Sequence, residues 1–178
     1  MKKRTTVSRR TKRLTLTAML CALSVAILYL GVLLDVLEIS AVAIASLFML
    51  FCLRELGRSQ AFMLYAATTF LSVILLPRPE AGILYGLFGG LYPIIKFPME
   101  RHRRPLPLLF KLLYLNAVIT AMELLTVYVF ALPFEGLPIL LLLYAIANPT
   151  FLLFDHLLDR LLVLYEVRIR PRIARFLN

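Results

Sequence analysis

The chain of 178 residues has no tryptophan, two cysteines, two histidines and few charged side chains (17%). Cys21 and Cys52 stand in separate apolar runs, so there is neither a disulfide framework nor the paired spacing of a zinc site. The sequence also lacks a phosphate-binding Gly-x-x-x-x-Gly-Lys loop, a Gly-x-Ser-x-Gly elbow and a His-Glu-x-x-His pair. We therefore expect no enzymatic activity, no cofactor and no metal site.

The scarcity of charge is matched by an excess of apolar residues. Hydrophobic residues make up 61% of the chain, against about 45–50% in an ordinary soluble domain, and the mean hydropathy is +0.87. A soluble fold of this size cannot bury so much apolar surface, because small domains keep a large share of their surface in water. The composition excludes a soluble globular protein and a disordered chain, and it indicates an integral membrane protein.

The apolar residues fall into six runs, which predict an all-α compact bundle of six transmembrane helices. The runs are 14–34, 39–53, 61–76, 81–97, 106–132 and 137–154, with an amphipathic continuation to about 165. Six spans of ~20 residues use about 120 residues, which leaves no room for a soluble domain. The predicted organisation is a basic N-terminal tail (1–13), a single membrane domain (14–165) and a basic C-terminal tail (166–178).

The basic residues predict the orientation of this bundle. The net charge is +10, and nineteen of the 20 Lys and Arg residues fall on one side of the predicted membrane, with Arg78 alone on the other. The positive-inside rule makes the basic side cytoplasmic, so both termini are expected inside. Because the basic residues flank apolar runs, they indicate topology and contact with anionic lipid headgroups, and not nucleic-acid binding.

Two spans carry stripes of small residues, which allow helices in a membrane to approach closely. The first span has Ala18, Ala22 and Ala26, spaced four apart, and the fourth has Gly82, Gly86 and Gly90 at the same spacing. Each stripe predicts either a contact inside the bundle or a contact with a partner helix.

Polar side chains inside a membrane are functional candidates, because they are costly to bury in lipid. On one face of their spans lie Asn116, Thr120 and Glu123 in the fifth, and Tyr144, Asn148 and Asp155 in the sixth. The short connection makes these spans antiparallel neighbours, so Glu123 and Asn148 are expected to meet near mid-membrane. The pair would either fix the helix register or, with Pro149 breaking a backbone hydrogen bond, line a cavity.

If the bundle has a ligand cavity open to the outside, six residues are candidates to line it. They are Arg78, Glu80, Tyr85, Glu123, Tyr144 and Asn148. Arg78 could meet an anionic group or pair with Glu80 and hold the loop, whereas an ionised Glu123 would favour a cationic ligand.

The first span, KRLTLTAMLCALSVAI at residues 12–27, has basic residues just before it and Ala18-x-x-x-Ala22 near its start. It resembles the start of the substrate-binding S components of energy-coupling factor (ECF) transporters, bacterial plasma-membrane proteins of about this length with six spans and both termini inside. The resemblance implies that the alanine face of Ala18, Ala22 and Ala26 packs on a transmembrane T component driven by two ATPase subunits. It implies that the chain takes up a vitamin or other micronutrient from outside. The lack of tryptophan removes a residue that several vitamin binders of this family use for stacking.

A second family has similar topology and a different role. The rod-shape membrane protein of the cell-elongation machinery is also a small six-span chain and has been compared with S components in fold. It would be a scaffold without a ligand, whereas an S component would retain a small molecule and co-purify with ATPase subunits.

Overall fold

The computed structural model describes residues 2–99, 106–131, 133 and 136–169, and every regular element in them is helical. We number the helices in chain order as α1 Lys2–Leu33, α2 Glu38–Glu55, α3 Arg58–Leu75, α4 at 79–99, α5 Leu106–Tyr128 and α6 Leu137–Leu164. Helix α4 consists of Pro79–Leu84, a π-helical stretch Tyr85–Gly90, and Leu91–Met99. A second π-helical stretch, Tyr165–Ile169, continues α6. The all-α prediction is confirmed, and each of the six described helices contains most of one of the six apolar runs.

Within the described residues, three helices are long and apolar enough to cross a membrane: Arg10–Leu33 in α1, Leu108–Tyr128 in α5, and Leu137–Arg168 in α6 with its extension. By length and composition these helices indicate a membrane-embedded protein, while the full set of six spans stays a prediction. Helices α2 and α3 have 18 residues each. At 1.5 Å per residue each is about 27 Å long, slightly shorter than the ~30 Å hydrocarbon core.

The predicted basic tails and loops are described only in part. Helix α1 begins at Lys2, so the basic segment 2–13 continues the first helix without a break. The basic cluster at 100–104, Glu135 and residues 170–178 of the predicted C-terminal tail lie outside the described residues.

The chain divides into two compact units, Met1–Lys111 and Leu112–Asn178. In the first unit α1 packs on α2 and α3, and α3 packs on α4. Two apolar clusters fill this unit, one nearer each end of its helices. The first is Leu28, Val32, Ala41, Val42, Ala45, Leu76, Ala81 and Tyr85; the second is Cys21, Met49, Cys52, Leu56, Ala61 and Leu64.

Short turns with unusual backbone angles connect the helices of the first unit. Asp35, between α1 and α2, has a φ of 51°, a left-handed conformation that Asp adopts more easily than most residues. Gly57, between α2 and α3, has a φ of 90°, which a residue without a Cβ adopts at no steric cost. Both turns are short enough to make consecutive helices antiparallel neighbours.

The described part of the second unit consists of α5 from Leu112 onward, α6 and the residues that follow it. Its apolar side chains are mostly on the surface, and in the most apolar window of α6 only 6% of the residues are buried. Pro149 lies inside α6, and the helix continues through it. An apolar surface of this kind suits contact with lipid tails.

Candidate functional site

The alanine stripe of α1 is on the outside of the molecule. Ala18, Ala22 and Ala26 are all exposed, while another face of α1 is buried through residues such as Cys21 and Leu28. The small residues of α1 therefore make no close contact inside the described chain and leave a smooth strip accessible to another helix.

The glycine stripe of α4 is, by contrast, an internal contact with α3. A Cβ on Gly82 would lie 2.7 Å from the backbone nitrogen of Val73, one on Gly86 would lie 2.7 Å from Thr69 Cγ2, and one on Gly90 would lie 2.6 Å from the Tyr65 ring. The stripe thus meets α3 along three successive turns. Of the two interpretations of the glycines, internal packing is confirmed.

Arg78 is held by the α1–α2 turn. Its guanidinium forms an ion pair with the Asp35 carboxylate and donates a hydrogen bond to the Val32 carbonyl oxygen at 3.2 Å. Arg78 is therefore engaged by the loop next to it, and the residue that pairs with it is Asp35 and not Glu80.

Glu80 lies close enough to Glu38 to influence its ionisation. Partial burial, and secondly the nearby Glu80 carboxylate, raise the pKa of Glu38 above its ordinary value. Two carboxylates that repel each other favour the protonated form of one of them. Glu80 thus belongs to an acidic surface at this end of the first unit.

Tyr85 begins the π-helical stretch of α4 and is fully buried. Its ring lies against the π-helical backbone, since a Cβ on Gly89 or Gly90 would come within 3.0 or 3.1 Å of it. The hydroxyl is beside Thr68, but among the described residues it has no hydrogen-bond partner. Thr68 instead donates a hydrogen bond to Cys21 Sγ at 3.4 Å. Tyr85 is a core residue, and no ligand reaches it without separating the helices.

The second unit contains a ladder of polar side chains that joins α5 to α6, and we call it the α5–α6 ladder. The amides of Asn116 and Asn148 bond each other in both directions, at 3.1 and 3.4 Å. One turn away, Thr120 Oγ1 lies 2.7 Å from the Tyr144 hydroxyl. The two pairs fix the antiparallel register of the helices, because position 116 stands opposite 148 and position 120 opposite 144.

Glu123 follows Thr120 on the same face of α5 and is half-buried. The register of the ladder places it opposite Leu140 and Leu141, in the apolar first turns of α6. Among the described residues Glu123 has neither a hydrogen bond nor an ion pair. The prediction that Glu123 meets Asn148 is wrong, because Asn148 stands about two turns away from the level of Glu123 and is bonded to Asn116.

The six candidate residues therefore lie in two separate units. Arg78, Glu80 and Tyr85 belong to the first unit, while Glu123, Tyr144 and Asn148 belong to the second. The candidates omitted Asn116 and Thr120, although both share the polar face of Glu123 in the sequence. The candidates also omitted Asp35. Its position directly after an apolar run predicts a turn, but it gives no indication that Asp35 pairs with Arg78. No protein family, curated protein or solved structure matches the chain.

Proposed function

We propose that the chain is the substrate-binding S component of an ECF-type importer in a bacterial plasma membrane. It would bind a vitamin or other micronutrient from outside and deliver it through a T component driven by two ATPase subunits. The observation that carries the proposal is the exposed stripe of Ala18, Ala22 and Ala26. Helices in membranes associate through close packing of small residues, so an outward-facing stripe on α1 supports a partner helix there.

Further support comes from the contrast between the two stripes of small residues. The glycines of α4 are already used in packing on α3, whereas the alanines of α1 are not buried by the described chain. A second helix on the alanine face would cover a strip left free by the fold.

The proposal is tested by purifying the tagged chain from its native membranes in mild detergent. The expected result is co-purification with one transmembrane protein and two ATPase subunits. Ala22→Leu should weaken this association. Its free energy of unfolding should stay within about 0.5 kcal/mol of the wild-type value, as for surface substitutions in general. Ala145→Leu, at an exposed alanine of α6, is the matched control and should assemble normally.

The alternative is a scaffold of the cell-elongation (rod-shape) machinery, and the observation that favours it is the α5–α6 ladder. Its paired amides bond each other, as expected for side chains whose role is to fix helix register. For a scaffold, the same purification should recover cell-elongation proteins without ATPases, and normal assembly of Ala22→Leu with ATPase subunits would remove the basis of the S-component proposal.

A further inference from the structure

The direction of the hydrogen bonds in the α5–α6 ladder determines which atoms remain open to a ligand. Thr120 donates its hydroxyl proton to the Asn116 carbonyl oxygen at 2.8 Å. Its oxygen must then accept the hydrogen bond from the Tyr144 hydroxyl at 2.7 Å, because a hydroxyl has one proton. The phenol proton of Tyr144 is used in this bond, and the phenol oxygen is left as an acceptor.

The amide donors of the ladder are also largely used. Asn148 Nδ2 donates to Asn116 Oδ1 at 3.1 Å and to the Tyr144 carbonyl oxygen at 2.7 Å, and Asn116 Nδ2 donates to Asn148 Oδ1 at 3.4 Å. Three of the four amide N–H groups of Asn116 and Asn148 thus serve the ladder itself. The ladder consequently offers a ligand acceptors and few donors.

Glu123 extends this set of acceptors by one turn. It lies three residues beyond Thr120, a rise of ~4.5 Å on the same face of the helix. It is half-buried beside apolar residues and has no partner among the described residues. An ionised carboxylate in apolar surroundings is costly unless it is paired, so a cation is the ligand that would stabilise the ionised form of Glu123.

The outer side of the predicted topology has the same sign of charge. Four carboxylates and one guanidinium are expected there, and the guanidinium of Arg78 is already paired with Asp35. An excess of negative charge on the outer side of the membrane raises the local concentration of cations there.

We propose that Glu123, together with the phenol oxygen of Tyr144, binds a cation that bears N–H donors, such as a protonated amine or amidine. The inference rests on the proposed function in one respect: if the chain is an importer subunit, the imported micronutrient is this cation. The carboxylate supplies the charge and the phenol oxygen accepts one hydrogen bond. A neutral or anionic ligand would leave an ionised Glu123 without a counter-charge.

The charge at this site is measured with a thiol placed opposite Glu123. Leu141 is 67% exposed, so Leu141→Cys, with Cys21 and Cys52 replaced by alanine, gives a single reactive thiol. The purified protein is treated either with a cationic trimethylammonium-ethyl thiosulfonate or with an anionic sulfonatoethyl thiosulfonate, and the rate at which each reagent modifies the thiol is measured. The cationic reagent should react faster, and Glu123→Gln should lower the ratio of the two rates about tenfold, as one nearby unit charge would.

A matched control is Leu153→Cys, three turns further along α6 at an equally exposed leucine (71%). Its rate ratio should not change with Glu123→Gln. An unchanged ratio at position 141, or a thiol there that neither reagent reaches, overturns the proposal, because the ligand needs both the charge and the access.

The ligand class is tested in the same assay by protection. Benzylammonium should slow the labelling of Leu141→Cys when Glu123 is present, and should lose this effect in Glu123→Gln. Absence of protection, or equal protection by benzyl alcohol, overturns the amine site. Since the assay needs no partner subunit, its outcome is independent of whether ATPase subunits co-purify, and the two proposals fail separately.

Discussion

Asn116 and Asn148 hydrogen-bond each other through both of their side-chain amides, and this pair sets the register of α5 against α6. Asn148 Nδ2 also donates a hydrogen bond to the Tyr144 carbonyl oxygen one turn back in α6, at 2.7 Å. Pro149 has no N–H to donate to the carbonyl oxygen of Ala145, and the Asn148 side chain bonds α6 one residue before that carbonyl.

A double-mutant cycle measures the strength of this amide pair. Asn116→Ala, Asn148→Ala and the double variant should give a coupling energy of about 0.6–1.7 kcal/mol, the range of hydrogen bonds between transmembrane helices. The measurement is the free energy of unfolding in mixed micelles. A coupling energy near zero would contradict the register role.

Gly86→Ala should destabilise the first unit. Its new Cβ would lie 2.7 Å from Thr69 Cγ2, so α3 and α4 must separate or Thr69 must change rotamer, at a cost of about 1–3 kcal/mol. Thermal unfolding of the purified protein checks this. Gly86→Ala combined with Thr69→Ser, which removes the clashing methyl group, should recover part of the loss, and no recovery would mean that the clash is elsewhere.

Tyr85→Phe should leave the protein as stable as the wild type or make it more stable, by up to about 1–3 kcal/mol. The reason is that the buried hydroxyl has no described partner and its removal relieves an unmet desolvation cost. Thr68→Val is the comparison, since it removes a hydroxyl that does bond Cys21, and it should be destabilising. A marked loss of stability in Tyr85→Phe would show that the hydroxyl has a bound partner.

Stability should depend on pH through Glu38. Its pKa is raised in the folded protein by burial and by Glu80, so the folded state binds the proton more tightly than the unfolded chain. The stability of the folded state therefore falls as the pH rises from about the ordinary glutamate value of 4.5 through the raised pKa. Melting temperatures from pH 4 to 7 should fall less steeply in Glu38→Gln and in Glu80→Gln, and identical slopes in all three proteins would refute the coupling.

The orientation of the chain is tested by labelling single cysteines in intact cells with a membrane-impermeant reagent. Cysteines placed at Glu38 or Glu135 should react, because the charge distribution predicts that these loops are outside. Cysteines at Arg103 or Arg172 should react only after the cells are opened. Labelling of Arg103→Cys in intact cells would reverse the orientation.

The apolar runs predicted the helices well, because each run is followed by a proline or a charged residue, although the last helix continues past Asp155 to Leu164. The Pro77-Arg78-Pro79 segment, for example, separates α3 from α4 at the position the sequence indicates. The π-helical stretch at Tyr85–Gly90 was not predictable from periodicity, since a π-helical turn arises from the tertiary fit of the glycines against α2 and α3.

Side-chain partners were harder to predict than helices. Helical periodicity placed Asn116, Thr120 and Glu123 on one face, but it could not give the register against α6, which decides that Asn148 meets Asn116. For the same reason Arg78 was considered with Glu80, two residues away in sequence, while its partner Asp35 comes from a distant turn. Register depends on the sum of many contacts between helices, and no single helix contains that information.

The glycine contact between α3 and α4 also limits how the first unit can move. Val73, Thr69 and Tyr65 meet successive glycines of α4 at distances that leave no space for even a methyl group. If one helix slid or rotated against the other, side chains of α3 would clash with the backbone of α4. We therefore expect α3 and α4 to move together as one rigid hairpin. A change of shape in this unit has to be accommodated where α1 or α2 contacts that hairpin, and the turn at 76–78 is a fixed corner and not a hinge.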